Sequence, residues 1–104
     1  MLNTETDIQF DFNKVDMVAE QLKVLSNPDR LKILCTLVDG EMNVQTIEQK
    51  TDIHQPTLSQ QLTVLRKSEM VLTRREGKQI FYRIADERVL VIMQTLYGLY
   101  CQVE

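Results

Sequence analysis

The chain is poor in the residues that break or staple structure. Among 104 residues there are three glycines, two prolines, two cysteines and a single histidine. Glycine and proline are too sparse for a linker, and neither an internal repeat nor a low-complexity stretch is visible. Two cysteines without a secretory signal do not make an extracellular disulfide framework. The start, Met1-Leu2-Asn3-Thr4-Glu5-Thr6-Asp7, is acidic and lacks the basic-then-apolar order of such a signal. No apolar run approaches the ~20 residues of a membrane span. These absences predict one soluble cytoplasmic domain. In a reducing compartment, a pair of thiols is more often catalytic, metal-binding or sensing than structural.

What is present is a succession of amphipathic segments. Residues 1–11 show no helical period and are expected to form a flexible N-terminal arm, leaving 12–104 as the folded domain. Val15, Val18, Leu22 and Leu25 recur at three- and four-residue steps and predict a helix over about 13–25. Asn27-Pro28-Asp29 interrupts it. Asn27 can cap the next helix, Pro28 suits a first helical position, and Asp29 complements the helix dipole. That second helix, about 28–39, carries Leu31, Leu34, Cys35 and Val38 on one face, with Ile33 and Leu37 beside it, and Gly40 stops it. Asn43 can cap a short helix over 44–50. Pro56 opens another over 56–68, with Leu58, Leu62 and Leu65 inward.

Two β-prone runs, 71–75 and 80–84, flank Gly77, which suits a hairpin turn. A final helix, 86–101, repeats Val89, Ile92, Met93, Leu96, Leu99 and Tyr100. The order α1-α2-α3-α4-β1-β2-α5 is mainly helical with a small β-hairpin wing, the layout of a winged helix-turn-helix. Leu90, Leu96, Tyr97, Leu99 and Tyr100 are too many apolar residues for one small core, so a homodimer through the terminal helices is expected.

Net charge is −3, unpromising for a nucleic-acid binder until it is resolved along the chain. Residues 55–83 hold six bases and two acids, a net +4, within a remainder of −7. The fourth helix presents Gln55, Thr57, Ser59, Gln60 and Thr63 outward, short or amide-bearing side chains able to hydrogen-bond base edges in the major groove. No acidic side chain interrupts this face before Glu69. In the hairpin, Arg75, Lys78 and Gln79, near Arg74, can contact phosphate or enter a minor groove. Arg30 can add a backbone contact. The expected partner is double-stranded, palindromic operator DNA.

Three segments resemble the ArsR/SmtB family of bacterial repressors. They are Leu25-Ser26-Asn27-Pro28-Asp29-Arg30-Leu31-Lys32-Ile33-Leu34, the recognition-type helix Leu58-Ser59-Gln60-Gln61-Leu62-Thr63-Val64-Leu65-Arg66, and the wing Arg75-Glu76-Gly77-Lys78-Gln79-Ile80-Phe81-Tyr82. The resemblance covers about residues 15–100. Many members sense metals, but two of the family's site patterns are absent from this chain. The stretch Asn43–Glu48 has no Cys-x-Cys, and the last helix has Asp86 and Glu87 without histidine. One histidine and two widely spaced cysteines make a poor zinc site, so neither metal nor cofactor is expected. His54 is read as a turn or DNA-facing residue.

Leu34-Cys35-Thr36-Leu37 and Leu99-Tyr100-Cys101 are similar to a two-cysteine subgroup of that family. The resemblance implies that Cys35 and Cys101 sense persulfide or related reactive sulfur and that bridging them relieves repression. A peroxide or general thiol sensor of the same fold, and a metal-responsive repressor, remain alternatives. Inert cysteines would leave a plain DNA-binding regulator. No nucleophile–base–orienter set is legible, which argues against an enzyme.

Overall fold

The computed structural model describes residues 11–101. The expected N-terminal arm lies outside the described residues except for Asp11, whose side chain accepts from the Asn13 N–H and caps a 3-10 turn at Phe12–Lys14. Helix α1 follows at Val15–Leu25, α2 at Pro28–Leu37, α3 at Val44–Thr51, α4 at Thr57–Lys67 and α5 at Glu87–Tyr100. The strands are β1 (Met42–Asn43), β2 (Val71–Glu76) and β3 (Gln79–Ile84). This is the expected winged helix-turn-helix order with one correction. The hairpin is part of a three-stranded antiparallel sheet, ordered β1-β3-β2, in which Met42 pairs with Tyr82 and Asn43 with Phe81. A two-residue strand is too short to show a period, so its pairing rests wholly on tertiary contact.

Local chemistry fixes the helix ends. Asn27 caps α2 through the Arg30 N–H, with Pro28 at the first helical position. Asn43 caps α3 through the Thr46 N–H, and Asp86 caps α5 through the Arg88 N–H. Hydrogen bonds from the Arg88 guanidinium and backbone hold the Asp86 carboxyl at about 2. In the hairpin, the turn residue Gly77 has φ +64° and Lys78 does not, as in a type II′ turn, where glycine avoids a Cβ clash.

The core is continuous across the helix-turn-helix unit. Ile33 and Leu34 of α2, Ile47 of α3 and Leu58 and Leu65 of α4 are fully buried, closed by Met70, Val71, Val89 and Met93. Thr51 is the one buried polar residue described. Its hydroxyl donates to the Ile47 carbonyl and accepts from the Ile53 N–H, so neither lone pair nor proton is stranded. Facing away from this core are Val15, Val18 and Leu22 on α1 and Val91, Leu99 and Tyr100 on α5. Replacing Leu34 by Ala removes a fully buried side chain and should cost about 2–5 kcal/mol. Urea unfolding checks this as a lower midpoint at unchanged slope.

Candidate DNA interface and thiol site

Helix α4 is positioned from beneath by Leu58, Leu62 and Leu65, all buried, which turns Ser59, Gln60 and Thr63 to solvent. Thr57 is half-buried in the first turn and Gln55 is exposed just before it. The Gln55 carboxamide oxygen accepts from the Ser59 N–H at 3.0 Å, and the Thr63 hydroxyl donates to the Ser59 carbonyl at 2.8 Å. The first bond satisfies one of the open N–H groups at the helix start. The five polar residues therefore share one acid-free end and face of α4, the part that enters a major groove in helix-turn-helix proteins.

Arg30 has a different setting from the others. Its Nε donates to the Val24 carbonyl at 2.6 Å and its Nη1 to the Gln61 side-chain oxygen at 2.8 Å. One guanidinium thus ties the end of α1 and the middle of α4 to α2. Arg75, Lys78 and Gln79 lie exposed at the hairpin end. Gln79 also accepts, through its side-chain oxygen, a 2.8 Å bond from the Asn43 carboxamide, linking the wing tip to the start of α3. Arg74, which points to the other face of β2, is held by Glu41 at 2.8 Å, by Glu76 at 2.9 Å, and over the Phe81 ring at 4.6 Å from its centroid. That hydrogen bond holds the Glu41 carboxyl below its usual range. Sequence reasoning missed the Arg30 and Arg74 clamps because one acceptor of each, Gln61 and Glu41, lies 31 and 33 positions away.

His54 lies in the turn between α3 and α4, with Nδ1 2.9 Å from a Glu48 oxygen and Nε2 2.8 Å from an Asp52 oxygen. The hydrogen bond to Glu48, and then that to Asp52, raise its pKa above 6.5. Asp52 itself adopts the left-handed conformation that ends α3 (φ 59°).

The two thiols are on α2 and at the end of α5, neither on α4 nor on the wing. Cys35 is exposed on α2 rather than facing the core, which is a correction to the apolar face expected for it. The core side of α2 is Ile33, Leu34 and Leu37. The Cys35 thiol donates toward the Met93 sulfur at 3.9 Å and borders a cavity of about 450 Å³ between the end of α2 and α5. Partial burial, and secondarily the charge of Cys101, push the Cys35 thiol up. Cys101, also exposed, follows α5 directly, and its N–H bonds the Tyr97 carbonyl. Among the described residues, no group of three or more His, Cys, Asp or Glu could hold a metal ion, and no helix is long and apolar enough to cross a membrane.

Comparison with known proteins gives a consistent answer. Residues 27–73 match the family described as "Bacterial regulatory protein, arsR family". The chain is 52% identical over 87 residues to the biofilm growth-associated repressor of Agrobacterium fabrum, covering 84% of this chain and 74% of that protein. The crystal structure of the transcriptional repressor BigR from Xylella fastidiosa superposes with a TM-score of 0.83 at 48% identity, covering 88% of this chain and 93% of that one. Reduced HlyU from Vibrio cholerae superposes with a TM-score of 0.82 at 34% identity, covering 86% and 95%.

The His54 cluster carries a pH signature. Because its folded pKa is raised, its contribution is fully present below the unfolded value near 6.5 and is lost as pH rises through the folded pKa. An NMR titration should place the His54 midpoint above 6.5, and Glu48→Gln should lower it. The stability gap between wild type and His54→Asn should close on the alkaline side of that midpoint.

Proposed function

The chain belongs to the arsR family of bacterial regulatory proteins, DNA-binding regulators rather than enzymes, and from that premise we propose that it is a dimeric transcriptional repressor switched by reactive sulfur. The repressor reading is supported by the acid-free polar face of α4 beside a basic wing. Gln55, Thr57, Ser59, Gln60 and Thr63 read base edges, while Arg75, Lys78 and Gln79 contact the backbone or minor groove. Arg30 contributes by fixing α4 against α2 and, where its remaining donors reach, by touching phosphate. The protein acts in the cytoplasm, where the DNA and the reducing environment are.

Two copies are needed to read a palindrome, with recognition helices roughly 34–36 Å apart. The apolar surface available for pairing is on the terminal helices. Leu22 of α1 and Leu99 of α5 are 54% and 70% exposed, with Val15, Val18 and Val91 nearby. Burying that surface in an isologous interface accounts for side chains the subunit core leaves in water.

The switch is proposed to be the Cys35–Cys101 pair. The observation that carries it is that both thiols are exposed and that Cys35 borders a cavity lined by Tyr97, whose carbonyl accepts the Cys101 N–H, although 66 positions separate them. Attack of one thiolate on the outer sulfur of a persulfide, RSSH, forms a protein persulfide and releases RS⁻. Attack of the second thiolate on the inner sulfur of that group forms the protein disulfide and releases HS⁻. The bridge ties α2 to the end of α5. Closing such a span constrains an unfolded chain by about 4 kcal/mol, and a hundredfold loss of DNA affinity needs about 2.7 kcal/mol.

Cys35→Ser and Cys101→Ser should each bind operator DNA within about twofold of wild type. Each should lose the roughly hundredfold weakening that persulfide produces in wild type, as read by fluorescence anisotropy. A response retained by the double variant would overturn the switch, and an equal response of wild type to peroxide would make it a general thiol sensor. Leu99→Glu should move the protein from dimer to monomer in sedimentation velocity and weaken DNA binding at least tenfold.

A further inference from the structure

The cavity beside Cys35 is far larger than the smallest sulfur species require. A volume of about 450 Å³ compares with roughly 30 Å³ for a water in the liquid, so it admits an organic molecule rather than hydrosulfide alone. Its walls are Val38 from the end of α2 and Met93 and Tyr97 from α5, with the Cys35 sulfur set among them 3.9 Å from that of Met93. The polar lining is Asp39 and Gln94. Asp39 is the one charged residue of the lining, and it makes no ion pair among the described residues. It lies in the turn just past the end of α2, on the lining it shares with Cys35. A carboxylate on the rim of the cavity repels an incoming anion and attracts a cation.

We infer that this cavity is a binding site for a small organic thiol derivative, a disulfide or persulfide, whose far end carries an ammonium group, with Asp39 selecting that charge and Gln94 hydrogen-bonding the same end. The inference builds on the reactivity of Cys35 in the proposed switch and names the class of molecule that reaches it. With a symmetric disulfide RSSR, the Cys35 thiolate attacks one sulfur, a new S–S bond forms as the old one breaks, and RS⁻ leaves. The retained RS group lies in the cavity with its ammonium beside Asp39. Val38 and the Tyr97 ring cover its carbon chain.

The test isolates Cys35 in a Cys101→Ser background. Mixed-disulfide formation is followed by intact mass with cystamine, a dication, and with 3,3′-dithiodipropionate, a dianion. Each rate is normalised to that of the same protein unfolded in urea, which removes intrinsic reactivity. At low ionic strength the folded protein should favour cystamine. Asp39→Asn should lower the cystamine-to-dithiodipropionate ratio about three- to tenfold, and half-molar salt should erase the difference. Gln94→Lys should push the ratio the same way by adding a cation to the lining, so the result does not rest on one variant. A ratio unchanged by both substitutions overturns the inference, as does a Cys35 that reacts with neither reagent until unfolded. DNA release is not the readout here. A selective cavity in a protein that keeps its DNA under persulfide would sink the switch alone, and release without charge selectivity would sink the cavity alone.

Discussion

Helix α2 is the part from which the others take their positions. Burial of Ile33, Leu34 and Leu37 fixes it against α3, α4 and the sheet, and the Arg30 guanidinium adds directed bonds to α1 and α4. Fully burying one such aliphatic side chain is worth roughly 1.5–3 kcal/mol, so three of them outweigh any single polar contact on the surface. Helix α4 has no anchor of that size on its solvent side. Its angle is set by α2 and β2 together, and anything that displaces α2 displaces the polar face of α4.

The same ten-residue helix carries Cys35 on its outer side, next to Met93 of α5. The thiol-bearing α2 and the polar face of α4 are thus joined through one helix, by buried contacts and by the Arg30–Gln61 bond. Close packing leaves little room for gradual deformation, so in the proposed switch a bond between α2 and α5 would move helices against each other rather than bend one. The wing is held separately. Glu41 and Phe81 grip Arg74, while Asn43 holds Gln79, so the wing moves with β1 and the start of α3. A shift of α2 relative to α3 would change the spacing between α4 and the hairpin, the two elements proposed to meet DNA.

Much of this was legible in the residues. The helices declared themselves through three- and four-residue apolar spacing, and Asn27, Asn43, Pro28 and Gly77 marked their ends and the hairpin turn. Cys35 was placed on the wrong side because Leu31, Leu34, Cys35 and Val38 form a plausible stripe on their own. The true stripe is centred on Ile33, Leu34 and Leu37, and Cys35, two steps past Ile33, is rotated about 200° from it. Strand β1 and the Arg30 and Arg74 clamps were invisible for a different reason. They depend on partners more than thirty positions distant, which no local period encodes. The Asp39 rim of the cavity belongs to the same class, since it takes its meaning from α5 across the gap.

Strand β2 pairs on one side only, leaving its other backbone edge unpaired by the sheet. An uncovered strand edge is a template on which a second chain can add a strand, and charged side chains along it discourage that growth. Arg74, Arg75 and Glu76 supply those charges here. The wing's cations consequently serve solubility as well as the nucleic-acid contact proposed for them. Stripping them out would expose a sticky ribbon, and a protein so altered could drop out of solution before its grip on DNA was ever measured.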